Sequence, residues 1–128
     1  MIYAQEAERI TGTVLIASNV GTDIEIDNDD YRDQLIELFS YSSYRQEDSF
    51  VLNLERGKSS KVVLPSGYDL KLAFQGLEED RALVQAVIRK EGRNYVHTVL
   101  SIQKPGVVFL GGPPTADGVL ILVLEAGF

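Results

Sequence analysis

Six carboxylates crowd one short stretch of the chain: Asp23, Glu25, Asp27, Asp29, Asp30 and Asp33. If residues 23–27 are extended, Asp23, Glu25 and Asp27 project from one face, because side chains alternate along a strand. Carboxylates gathered on one face could begin a calcium site, since calcium is held by oxygen ligands. The spacing then departs from the calcium-binding loop. Counted from Asp23, position six holds Asn28 where the loop needs Gly, and position twelve holds Gln34 where it needs a bidentate Glu. A solvated acidic loop leading into a helix is therefore expected, and no metal is assigned. A calcium-stabilised or carboxylate-using hydrolytic domain relying on segment 23–33 is the alternative.

Other chemistry finds little support. The chain has no cysteine, which excludes disulfides, thiolate metal sites and thiol nucleophiles together. Gly57-Lys58-Ser59 has the tail of a phosphate-binding loop, but the Gly required five residues earlier is Leu52. No Gly-x-Gly-x-x-Gly occurs, so a dinucleotide fold has no footing. His97 is the single histidine and has no Ser or Asp partner at a recognisable spacing, so it is expected on a sheet surface. No catalytic residue and no cofactor is assigned, and the chain reads as a non-enzymatic protein. Arg56, Lys58 and Lys61 form one basic group, and Arg89, Lys90 and Arg93 another. In a simple meander their turns fall at opposite ends of the sheet, which would keep them from forming one patch.

Two features suit binding. Tyr41 and Tyr44 flank Ser42-Ser43 just after the expected helix, and tyrosine rings anchor many protein interfaces. Pro113 and Pro114 stiffen the loop Gly111–Gly118, which is longer than a tight hairpin needs. These four residues are the candidate binding positions, set against the plainer reading that the tyrosines close the core and the loop merely connects.

The elements that would carry these residues are mostly strands. One helical pattern stands out at about 29–40, where Tyr31, Leu35, Leu38 and Phe39 make an apolar stripe with Ile36 at its margin. Asn28 or Asp29 would cap it, and Asp30 and Asp33 would meet the positive end of its dipole. Leu35 and Leu38 are expected to be buried, so that Leu38→Ala would cost about 2–5 kcal/mol. Strands are expected at 10–17, 49–55, 61–64, 69–75, 81–89, 95–103, 107–110 and 119–124. In 49–55 the residues Phe50, Leu52 and Leu54 share the inner face, and Glu91-Gly92 turns a hairpin. Val119–Leu124 does not alternate, so both of its faces need cover. A second layer of the same chain, as in a closed barrel, would supply it; otherwise a second molecule would, through this strand.

The 128 residues suit one domain, 1–128. The fold class that follows is α+β: a mostly antiparallel sheet, or a partial β-barrel or sandwich, with one main α-helix packed on it. An all-β sandwich with the helix as a lid is the alternative. The net charge of −7 is local, for residues 1–50 hold eleven acids and three bases. That balance argues against nucleic acid and anionic lipid as partners. With no apolar run long enough to span a bilayer, no membrane span is expected either. A protein partner or a second copy of the chain is the expected partner, and a binding or assembly module of the bacterial cell envelope the expected function. Ala4 before Gln5-Glu6 resembles the surroundings of a signal-peptidase site, which implies a periplasmic or secreted protein and leaves the cytoplasm open. Val107–Gly112 followed by Val119–Leu124 resembles the late strands of bacterial secretin domains, and no functional residue is carried over from that likeness.

Overall fold

The apolar run near the C-terminus becomes the strand around which the molecule is built. The computed structural model describes residues 7–26 and 31–127. Ala4, Gln5 and Glu6, the caps Asn28 and Asp29, and the carboxylates Asp27 and Asp30 lie outside the described residues.

In chain order the elements are β1 (Ala7–Ser18), β2 (Ile24–Glu25), α1 (Arg32–Leu38), β3 (Ser43–Glu55), β4 (Ser59–Val63), β5 (Asp69–Glu78), β6 (Arg81–Lys90), β7 (Arg93–Gln103), β8 (Gly106–Pro114) and β9 (Val119–Ala126). They form two sheets. The first has the order β2-β3-β1-β9-β8 and the second is the meander β4-β5-β6-β7. Every pairing is antiparallel except the short parallel contact of β2 with β3. The chain passes between sheets after β3 and again after β7. Strands hold 68% of the described residues, and the helix has only seven. The result is a mostly β molecule of two antiparallel-rich sheets and one short helix.

Both faces of β9 are used, and the same chain covers them. Leu120, Leu122 and Leu124 point into the space between the sheets, where they meet Ile10, Val14 and Ile16 of β1 and Leu70, Leu72 and Phe74 of β5. Ile121 and Val123 point the other way and join Leu15, Ala17, Tyr31, Leu35 and Tyr44 in a second cluster beneath α1. All five of these β9 side chains are fully buried. No second molecule is needed there, and self-association through the C-terminal strand has no exposed stripe to use.

Close approach at one point fixes the first sheet. Gly12 stands opposite Phe50, and the Phe50 ring lies where a Cβ would be, at 2.1 Å from that position. Only Gly allows the ring to fold over the strand and reach the core. At the far hairpin, Glu91 and Gly92 have φ of 51° and 77°. Two successive positive φ values match the right-handed twist of the flanking strands.

The helix corrects the expected one. It covers Arg32–Leu38 and ends where Phe39 turns extended. Tyr31 stands at its N-cap and makes no side-chain cap bond. Leu35 is fully buried as expected, but Leu38 is 64% exposed. The partners lie to one side: Ile24, Ile36, Phe39 and Tyr41 all pack on the second cluster. The helix has rolled toward its Ile36 margin, which turns Leu38 to solvent.

Candidate functional site

Among the described residues, the outer face of the four-stranded sheet carries no helix and no second layer. Alternation along β4, β5 and β6 sends Val62, Leu70, Leu72, Ala86 and Ile88 inward, and leaves Lys61, Asp69, Lys71 and Arg89 on the outside. Register then decides which of them meet. Lys61 faces Lys71 directly, and Asp69 faces Arg89. Around them opens a shallow cleft of about 440 Å³, whose rim is completed by Ser59, Ser60, Lys90, Glu91 and Gly92.

The electrostatics of this cleft run against those of the whole chain. Lys61 and Lys71 place two ammonium groups on opposed residues, an arrangement that repels. Asp69 offsets one of them, at 3.3 Å from the Lys61 Nζ. Lys71 has no acidic partner among the described residues. The Arg89 guanidinium donates to the Gly92 carbonyl at 3.3 Å, and Lys90 lies 4.9 Å from the centre of the Tyr68 ring. Four cations and two carboxylates line one depression on a chain of net charge −7. The expected separation of the two basic groups holds only for Arg56 and Lys58. Lys61 lies inside β4 rather than in the preceding turn, and strand pairing carries it to Arg89 and Lys90.

The turn that holds Gly57-Lys58-Ser59 is occupied by its own bonds. Gly57 N donates to the Phe74 carbonyl at 2.9 Å, Lys58 N to the Glu55 carbonyl at 3.0 Å, and Lys58 Nζ pairs with Glu55 at 2.6 Å. Amides spent in this way cannot cradle a phosphate.

The four candidate binding residues do not form a single surface. Tyr44 is fully buried, and its hydroxyl donates to the Phe39 carbonyl at 2.7 Å. Burial pushes its pKa above the usual tyrosine value. Tyr41, half-buried, meets Tyr44 edge-on with ring centres 6.4 Å apart. This pair closes the end of the cluster under α1. Pro113 is buried, whereas Pro114 is exposed and offers its carbonyl to the Tyr68 hydroxyl at 2.8 Å. That bond ties the loop to the second sheet.

Of the acidic stretch, Asp23, Glu25 and Asp33 are described, and all three are exposed. Glu25 lies beside Glu47 and Asp48 in a shallow groove, where Arg45 pairs with Glu47. Among the described residues no group of three or more His, Cys, Asp or Glu is placed to hold a metal ion. His97 is exposed on the outer face, with its Nε2 2.9 Å from the Gln85 side-chain nitrogen. No described helix is long and apolar enough to cross a membrane.

Sequence reasoning missed Lys71 as part of the cleft, because an isolated Lys at an outward strand position carries no local signal. The pairing of Lys61 with Lys71 across two strands reveals it. No protein-family model, no curated protein and no solved structure matches the chain.

Proposed function

We propose that the protein is a non-enzymatic binding module that takes an anionic group, a phosphate or a carboxylate, in the cleft on its four-stranded sheet. The opposed pair Lys61–Lys71 carries this reading. Like charges held directly across a ladder cost stability, and an anion seated between them turns that cost into attraction. Arg89 beside them has the planar fork that suits either ligand. Ser59, on the same outward face as Lys61, adds a neutral hydroxyl donor at the same rim.

Titration of the full chain with inorganic phosphate and, separately, with citrate tests the reading. Amide resonances of Lys61, Lys71, Arg89 and Gly92 should move together, and the response should fall with added salt. Lys71→Ala should weaken the binding about tenfold without lowering the melting temperature. A response to phosphate alone identifies a phosphoryl ligand, and a response to citrate alone a carboxylate. Silence of all four resonances with both anions overturns the proposal. A rise in melting temperature produced by calcium alone would favour the acidic segment instead.

A further inference from the structure

The two sheets have four edges, and three of them are blunted. β2 contributes only two residues, and β4 is five residues long with Lys61 at its centre. β8 is broken by Gly111, Gly112, Pro113 and Pro114, and its register slips between Gly111 and Pro114. Short length, lysine, proline and irregular register are the usual devices that stop a sheet edge from pairing with another chain.

The fourth edge, β7, has none of these along most of its length. A slip at Ile88/Arg89 leaves Tyr95 without a partner, and its ring turns onto Tyr68 at 5.3 Å between centres. From Val96 to Gln103 every residue is in register with β6, and none is charged, Gly or Pro. Val99 stands on the outer face and is 51% exposed. On the inner face Val96 and Leu100 are only half-buried against the core. Among the described residues this edge is unpaired, with β8 close to it only at its C-terminal end, and Val96, Val99 and Leu100 are incompletely covered.

We infer that β7 pairs antiparallel with the β7 of a second copy of this chain, about a two-fold axis at Val99. In that register Val99 faces its own mate, Thr98 faces Leu100, His97 faces Ser101, and Val96 faces Ile102. Each pair lies on one face of the sheet, so the pattern of cover is kept, and no pair sets like charges against each other. The register uses the in-register stretch from Val96 to Ile102. A two-fold interface must be complementary to itself, which this strand satisfies. A charge-free contact also matters for two copies that each carry −7. The product is a continuous eight-stranded sheet, β4 to β7 followed by the same strands of the partner in reverse, with an anion cleft on each half.

Sedimentation of the full chain over a wide concentration range gives the first reading, and a reversible dimer is expected. Val99→Lys and Val99→Glu each put like charges on the axis, and each should weaken the dimer about tenfold or more. Both substitutions lie at an exposed position, so the melting temperature measured on the dilute monomer should stay unchanged. The equimolar mixture of V99K and V99E pairs opposite charges across the same axis and should restore dimers. A wild-type chain that stays monomeric throughout overturns the inference, as does a dimer that V99K leaves intact. A mixture that remains monomeric overturns the Val99 axis. Binding of phosphate or citrate is read separately from these variants, since Val99 does not line the cleft.

Discussion

The two sheets have opposite relations to water on their outer faces. The five-stranded sheet presents Leu15, Ala17, Ile121 and Val123 outward and buries them under α1, Tyr31 and Tyr44. The four-stranded sheet presents Lys61, Asp69, Lys71, Arg89 and His97 outward, with no described element over them. The strands themselves record this difference. β9 and β1 are apolar at consecutive positions because each serves two cores, whereas β5 and β7 alternate because each serves one. A bare face is free to bind, and a covered one is committed to stability. The comparison therefore assigns structure to the helix side, and the binding proposed above rests on the other.

The sharpest way to break that assignment is to empty the covered face. Leu35 is fully buried at the centre of the helix contact. Leu35→Ala should cost about 2–5 kcal/mol, through lost transfer energy and the cavity left behind. Chemical denaturation measures it. A loss below about 1 kcal/mol would mean that the helix is a loosely held lid, and that both outer faces are available.

Next comes the packing between the sheets, which both faces share. Any Cβ at Gly12 collides with the Phe50 ring, so Gly12→Ala should displace the ring and destabilise by about 1–3 kcal/mol. Replacing Phe50 as well, in G12A/F50L, should recover part of the loss, because the obstructing ring is then gone. Non-additivity in this double-mutant cycle is the measurement that identifies the contact.

A smaller effect separates the two sides by pH. The Tyr44 hydroxyl is held below the helix with its pKa raised by burial, while the cleft residues are open to water. A raised pKa in the folded state means that the unfolded chain ionises first. The contribution of Tyr44 is present below the ordinary tyrosine value of 10.0 and is lost as pH rises through the folded value. Stability should fall above about pH 10, and Tyr44→Phe should flatten part of that fall. At neutral pH the same substitution should cost about 1 kcal/mol, since the Phe39 carbonyl loses its donor. An alkaline limb identical in Y44F and the wild type would refute the assignment.

Much of this architecture was legible in the residues. All eight expected strands exist, because alternation and turn residues are local signals, and Phe50, Leu52 and Leu54 do pack on the sandwich core. What escaped was set by neighbours distant in sequence. The first half of β3, Ser43–Asp48, is nearly all polar and pairs only because β1 and β2 lie alongside it. β2 has two residues and no pattern to show. The site was harder still: Lys61, Lys71 and Arg89 sit on three strands, and only register brings them together. The tyrosines were open to either reading because aromatic residues near a helix end serve equally well as interface or as core; Tyr44 is core and Tyr41 is half-buried against it.

That roll is also what the smallest effect tests. Leu38 is 64% exposed, on the last turn of a seven-residue helix that has no basic residue near its C-terminus. Truncation there removes little buried area, so Leu38→Ala should change stability by no more than about 0.5 kcal/mol. Leu38→Lys goes further, since a positive charge at this end meets the negative end of the helix dipole and should add about 0.3 kcal/mol at low salt. The gain should fade as salt is raised. A loss of 2 kcal/mol or more for Leu38→Ala, comparable with that expected at Leu35, would put Leu38 beneath the helix. The covered face would then extend beyond Ile36 and Phe39, and the contrast between the two sides would have to be redrawn around a wider helix contact.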